Sequence, residues 1–222
     1  MSGQIVDASL VPAPKQRNTD PEKEAVKAGK SAAEIWPDKP NKAAQKDVDA
    51  RWTLKVGSKI RYRPDGTPLP QIATPTFGYK SHISIDRRYG FIRGQAVTSA
   101  AAPDGRQLKH VVTTDNTSSE VWADSAYRSQ RNEKWLAGKM LTSRIHRRKP
   151  AGKPMPKATA RANARKSSVR ARVEHVFAHQ KNRFGLFIRT IGIKRAEAQL
   201  TLANLAYNMD RLIFHERRAA MG

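Results

Sequence analysis

Three acids in a strongly basic chain have the type and setting for phosphoryl-transfer chemistry: Asp7, Asp124 and Glu174. Glu174 is the only Asp or Glu between Lys134 and Ala196, and the span from Arg144 to Arg195 sets sixteen Lys and Arg against it. A lone carboxylate does little for charge balance there. It either pairs with Arg170, in the weaker i, i+4 orientation worth about 0.3 kcal/mol, or it serves chemistry. Asp7 lies inside a β-favouring run, "QIVDASLV", where a charge is costly without a counterion or an exposed face. Asp124 ends a second run in "VWADSAYRS", with small residues after it that leave room for a ligand, and strand ends are where open sheets place ligands. Two strand aspartates and a helix glutamate are the hard oxygen donors that would hold two Mg²⁺ or Mn²⁺ ions about 4 Å apart for phosphodiester chemistry.

The rest of the composition supports a polyanionic partner. The 222 residues carry 42 Lys and Arg against 19 Asp and Glu, a formal charge of +23, far beyond what solubility requires. Nucleic acid is the expected partner. A membrane is not, because no apolar run approaches the roughly 20 residues a spanning helix needs. The absence of cysteine excludes disulfides, thiolate catalysis and cysteine-based zinc sites. No signal-peptide pattern opens the chain, so a cytoplasmic, nucleoid-associated protein is expected.

The elements that must position these acids follow from periodicity and punctuation. "QIVDASLV" reads as a first strand, ended by the prolines of "PAPK". Residues 13–75 read as an irregular basic insertion, with "PEKEAVKAG" as a short helix closed by Gly29. "FGYKSHISID" and "FIRGQAVTSA" form a hairpin about "RRYG". Then come a short helix in "APDGRQLKHVV", a strand to Asp124, a helix in "SQRNEKWLAGK" and a strand in "LTSRIHRR". A linker leads to a long helix from about Arg161 to Arg183, stopped at Gly185. A final helix over 191–217 carries Leu202, Leu205, Met209 and Leu212 at i, i+3, i+7 and i+10, facing core or partner. The order describes one α/β domain over 1–222, a mixed sheet with flanking helices of the ribonuclease-H-like kind.

On the long helix, Val169, Val173, Val176, Phe177 and Phe184 share an apolar arc, with Arg170, Glu174 and Lys181 together at its edge. "VDASLVPAPKQRN", "WTLKVGSK", "FGYKSHISIDRRYGFIRGQAVTSA", "VWADSAYRS" and "VRARVEHVFAHQKNRFG" resemble the catalytic half of a bacterial insertion-sequence transposase of the five family, a DDE enzyme. The spacing of Arg170, Glu174 and Lys181 resembles that family's Arg-Glu-Lys signature, and Asp7 and Asp124 stand at its two aspartate positions. The resemblance implies cleavage at transposon ends, strand transfer into target DNA and a homo-oligomer on DNA. The chain departs from the pattern at Ser167, where the signature has a Tyr, and at Ser99, where an Asp commonly follows "VT". Family members carry a helical region before the first catalytic strand, and only "MSGQI" stands here. A truncated or split-frame copy, with a separately encoded N-terminal half, is the expectation.

Arg170 and Lys181 suit phosphate oxygens, the Arg through its planar fork and the Lys as a point charge. Tyr127 and Arg128 could stack on or clamp a strand end, or simply begin a helix, and Trp52 could anchor the insertion or stack on a base. His175 and His179 have metal-ligand spacing, but no Glu follows the first His, and solvated or phosphate-facing histidines are the expectation. The alternative to an enzyme is a passive basic protein that binds DNA or RNA without divalent ions. It predicts no convergence of Asp7, Asp124 and Glu174, whereas Asp86 in place of Asp7 would mean a different strand order.

Overall fold

The structure, a computed structural model, describes residues 2–56, 62–70, 73–115 and 118–222, so the end of the "WTLKVGSK" stretch lies outside the described residues. The first strand, β1 (Gln4–Pro12), lies between two partners. Along one edge it runs antiparallel to the long strand β3 (Ala73–Asp86), and at its start it runs parallel to β5 (Glu120–Trp122). The strand β4 (Ile92–Ser99) pairs antiparallel with β3, and the short β6 (Thr142–Ser143) pairs parallel with β5. The core order is therefore β4, β3, β1, β5, β6, three antiparallel strands followed by two parallel ones, the ribonuclease-H-like arrangement. Gly78 lies where the end of β1 crosses β3; a Cβ there would press on the Val11 carbonyl and sit 2.8 Å from the Ala13 nitrogen.

The two-residue period of β1 sorts its side chains between two helix layers. Val6 points into a core with Leu108 and Val111 of α4 (Leu108–Val111) and Leu136 of α5 (Gln130–Gly138). Ile5 points the other way, onto Val173, Val176 and Phe177 of α7 (Arg172–Arg183) and Tyr207 of α8 (Ile193–Ala220). Val11, on the same face as Ile5, packs in a core that includes Ala196 and Leu200 of α8. Asp7 shares that face by parity, and so looks toward α7 and its predecessor α6 (Lys157–Arg170).

Two expectations need correction. The long helix is two helices, α6 and α7, separated at Ala171, where the Glu174 N–H bonds the Ala171 carbonyl and tightens the turn. The segment 13–75 is also less irregular than its composition suggested: it holds α1 (Asp20–Lys27), α2 (Ala32–Ile35), α3 (Pro40–Gln45) and a strand β2 (Arg51–Val56) paired to β3. The sequence carries their signals. Thr19 with Glu22, and Ser31 with Glu34, are capping boxes. Trp36 is buried, and its indole N–H donates to Glu22 at 2.6 Å, so "AEIW" packs back on its own segment.

The same segment holds down the start of α8. Asp47 Oδ2 accepts from the Tyr79 hydroxyl at 2.6 Å and from the Gly192 N–H at 3.2 Å, while Asp49 Oδ2 accepts from the Ile193 N–H at 2.9 Å. These bonds satisfy donors that a helix N-terminus leaves open. Among the described residues no helix is long and apolar enough to cross a membrane.

Candidate active site

The β1–β5 register pairs Gln4 with Val121 and Ile5 with Trp122. Two residues beyond these pairs stand Asp7 and Asp124, close enough for the charge of Asp124 to act on Asp7. Asp124 has left the strand by then: its Oδ1 accepts the Ala126 N–H at 2.7 Å and caps the turn of Ser125–Tyr127. Glu174 arrives from the other side, in the first turn of α7, with its side chain 60% exposed.

Arg170, the last residue of α6, joins the two sources of charge. Its Nη1 donates to Asp7 Oδ2 at 2.5 Å and its Nη2 to Glu174 Oε1 at 2.8 Å. The ion pair read from the i, i+4 spacing therefore exists, and the same guanidinium reaches the strand as well. Arg170 Nε is buried without a hydrogen-bond partner among the described residues.

Asp7 is short of compensation. Burial pushes its carboxyl up to about 6, against the pull of Arg170 and a 2.9 Å bond from the Ala8 N–H, and the charges of Asp124 and Glu174 push it further. The side chain is 15% exposed, so this is a nearly buried acid with one cation and one backbone donor. Among the described residues, no three His, Cys, Asp or Glu side chains stand close enough to hold one ion as they are. The arrangement explains why: the Arg170 guanidinium occupies the space between Asp7 and Glu174, giving both carboxylates a cation. The donor set itself, three carboxylates, suits a hard divalent ion.

Asp86 does not join this group. It lies at the end of β3, paired with Gln4 three residues along the sheet from Asp7, and is buried with its Oδ2 taking the Tyr89 N–H at 2.5 Å in the hairpin turn. The expected strand order holds.

The other candidate residues divide. Lys181 lines a groove of about 300 Å³ with Ala8, Ser9 and Leu10 of β1, Lys55 of β2 and Lys80 of β3, leading away from Asp7 along the strand. Desolvation and the facing Lys55 hold its ammonium below the usual range. Arg128 reaches inward, to the Ile145 carbonyl at 3.3 Å and to Glu133 at 3.6 Å. Trp52 is 46% exposed and leans on Phe77, with ring centroids 5.5 Å apart. Tyr127 corrects an expectation: it is 1% exposed, packed with Val6, Val121 and Ile145, and offers no ring face for stacking. An aromatic flanked by polar residues resembles a surface residue in sequence, but the turn capped by Asp124 tucks it under the sheet.

His179 sets its Nε2 3.2 Å from Asp210 Oδ2 and rests against Phe184 and Tyr207, while His175 is exposed. Two neighbours of the carboxylates were not singled out from the sequence. His146 has a pKa lowered by burial and by Arg170, with Asp124 opposing, and Lys166 donates to the Ile145 carbonyl at 3.0 Å with its pKa lowered by burial and three nearby arginines. His146 comes there by continuing the β6–β5 pairing, its N–H bonding the Ala123 carbonyl, while Lys166 lies on α6, one turn before Arg170.

A sequence comparison covers nearly the whole chain. Residues 1–209 match the family described as Transposase DDE domain. The chain belongs to that family. A DDE transposase acts on DNA, which accounts for the +23 charge. No solved structure matches the chain.

Proposed function

We infer that this DDE transposase is an insertion-sequence enzyme of the five family, with residues 1–222 as one catalytic domain working on DNA in the bacterial cytoplasm. Asp7, Asp124 and Glu174 are its catalytic carboxylates and would hold two Mg²⁺ or Mn²⁺ ions. Ions bound there would supply Lewis acidity and a water of lowered pKa at the scissile phosphate. The reaction is in-line phosphoryl transfer: hydrolysis at a transposon end frees a 3′-hydroxyl, which then attacks target DNA.

The chain's own residues support this reading through one observation above all. Asp7 is a nearly buried acid whose only ion-pair partner among the described residues is an arginine shared with Glu174, and Asp124 adds charge beside it. Such a group is stabilised by more positive charge than the fold supplies. Arg170, bonded to both Asp7 and Glu174, has the planar fork that would suit a phosphate oxygen of DNA brought to these carboxylates. Lys181 and Lys55 line the groove along β1 and would track the DNA backbone, beside a Lys80 paired with Asp104 at 2.8 Å. Arg128 is oriented by Glu133 and the Ile145 carbonyl, and Trp52 stands half exposed at the far end of the sheet for contact with a base.

The test is cleavage of transposon-end DNA by Glu174→Ala. It loses metal-dependent cleavage and keeps DNA binding, because removing a carboxylate lessens repulsion of phosphates. Full cleavage by this variant would remove Glu174 from the reaction, and DNA binding indifferent to Mg²⁺ with no cleavage by the unaltered chain would favour a passive DNA- or RNA-binding protein.

A further inference from the structure

His146 stands in line with the carboxylates, and the proposed chemistry gives it no task. Val121 of β5 pairs with Ser143 of β6, and the pairing runs on past β6. The Arg144 N–H bonds the Val121 carbonyl at 2.8 Å, and the His146 N–H bonds the Ala123 carbonyl at 3.1 Å. That register seats His146 across from Asp124. Ala123 and Ile145 are buried in one core with Val6. By alternation Asp124 and His146 take the opposite face, the one that Asp7 shares beneath α6 and α7. The electrostatics agree with the geometry, since the charges of Arg170 and Asp124 bear on Asp7 and His146 alike. Three neighbouring strands thus bring Asp7, Asp124 and His146 to one edge of the site.

The ring presents a lone pair there. Its Nε2 is buried with no hydrogen-bond partner among the described residues, while the Lys166 backbone hydrogen-bonds the ring. With Nε2 unbonded, that contact falls to Nδ1, which carries the proton, and Nε2 is left as an acceptor. Carboxylates and the phosphates of DNA are acceptors too and cannot satisfy it, whereas a metal cation can. A backbone bond on the far nitrogen is also what orients a metal-ligating histidine. Asp124, for its part, gives Oδ1 to the Ala126 N–H and keeps a second oxygen. We propose that His146 Nε2 is a nitrogen ligand to the divalent ion held at Asp124, and that it tilts this position toward Mn²⁺ over Mg²⁺. The proposal rests on the reading of the carboxylates as a metal site. Mg²⁺ prefers oxygen donors and gives up its water reluctantly, while imidazole suits transition-metal ions better. No group of three His, Cys, Asp or Glu side chains stands in reach of one ion among the described residues, so DNA oxygens and water supply the remaining donors.

Mn²⁺ itself is the probe, bound to the full chain with a transposon-end duplex. Electron spin echo measurements on the bound ion are expected to show nitrogen modulation that shifts when the histidine nitrogens are isotopically labelled. The chain has six histidines, and loss of the modulation in His146→Asn assigns it. In that variant the affinity for Mn²⁺ falls at least about 10-fold, while the affinity for Mg²⁺, read by competition, falls by less and circular dichroism is unchanged. A merely structural role for His146 would lower both affinities equally. The spectrum of the unaltered chain is decisive without any variant, so a poorly folded His146→Asn does not blunt the test. Mn²⁺ bound in dependence on Asp124 but without nitrogen modulation would overturn the proposal and leave the carboxylate reading standing. Modulation that survives in His146→Asn, or an equal loss of Mn²⁺ and Mg²⁺ affinity, would do the same. Mn²⁺ binding indifferent to Asp124→Asn would overturn both.

Discussion

Asp7 and Asp47 are both buried or nearly buried acids in a basic chain, and they are treated in opposite ways. Asp47 takes N–H bonds from Asp49 and Ala50 on one oxygen and bonds from Tyr79 and Gly192 on the other, four donors for one carboxylate. Asp7 takes one backbone N–H and one arm of an arginine that is also committed to Glu174. A carboxylate saturated by neutral donors is a fastening, here tying the segment after β1 to β3 and to the start of α8. A carboxylate left short of positive charge costs the fold free energy, and it is the group at which the proposed chemistry is placed. The difference teaches where to look for chemistry in an acid-poor protein: at the acid the structure fails to satisfy.

Substitutions separate the two most sharply through activity. Asp124→Asn or Glu174→Gln lowers the rate of end cleavage about a thousand-fold or more, about 4 kcal/mol of barrier, with folding unchanged by circular dichroism. Asp47→Ala does the reverse. It strands the Tyr79 hydroxyl and a helix-start N–H, costs about 3 kcal/mol, and lowers the melting temperature, while the residual folded enzyme keeps its metal requirement.

Asp7→Asn stabilises the metal-free protein, and pH gives the sign. The native carboxyl titrates near 6 against 3.8 as the ordinary value, so ionising it in the fold costs free energy that the unfolded chain does not bear. That cost is absent below about pH 4, grows between 4 and 6, and is complete above 6, reaching about 3 kcal/mol. Denaturant melts of Asp7→Asn against the unaltered chain at pH 4 and pH 8 check this. A gain at pH 8 that vanishes at pH 4 is expected, and an equal loss at both would mean Asp7 is a fastening like Asp47. The smallest effect belongs to Lys181→Ala. It leaves the folded state intact and reduces the slope of log affinity for DNA against log salt by about 0.9, one phosphate contact.

The sheet was legible because its strands are bounded by proline, glycine and turn residues, and β3 and β4 are joined by an explicit turn. Asp7, Asp124 and Glu174 stood out because acids are scarce. What the sequence did not disclose is tertiary. The break at Ala171 falls in a run of good helix formers, where nothing local announces a tightened turn, and it accompanies Arg170 turning toward β1. Tyr127 looked like a surface ring because its neighbours are polar, and its burial depends on Asp124 capping the turn beneath the sheet. His146 reaches the neighbourhood of Asp124 only through β6, a strand of two residues, and Lys166 meets the Ile145 carbonyl from α6. The helices of the insertion, by contrast, were announced by two capping boxes that an overall count of prolines and lysines obscures.

The central claim is that the carboxylates tied together by Arg170 are a divalent-ion site. Mn²⁺ binding followed by electron paramagnetic resonance, on the full chain with a transposon-end duplex and on Asp7→Asn, Asp124→Asn and Glu174→Gln, tests it most directly. The account predicts two bound Mn²⁺ per chain in the unaltered protein and loss of at least one in each variant, with DNA still bound. Undiminished Mn²⁺ binding in all three variants would contradict it.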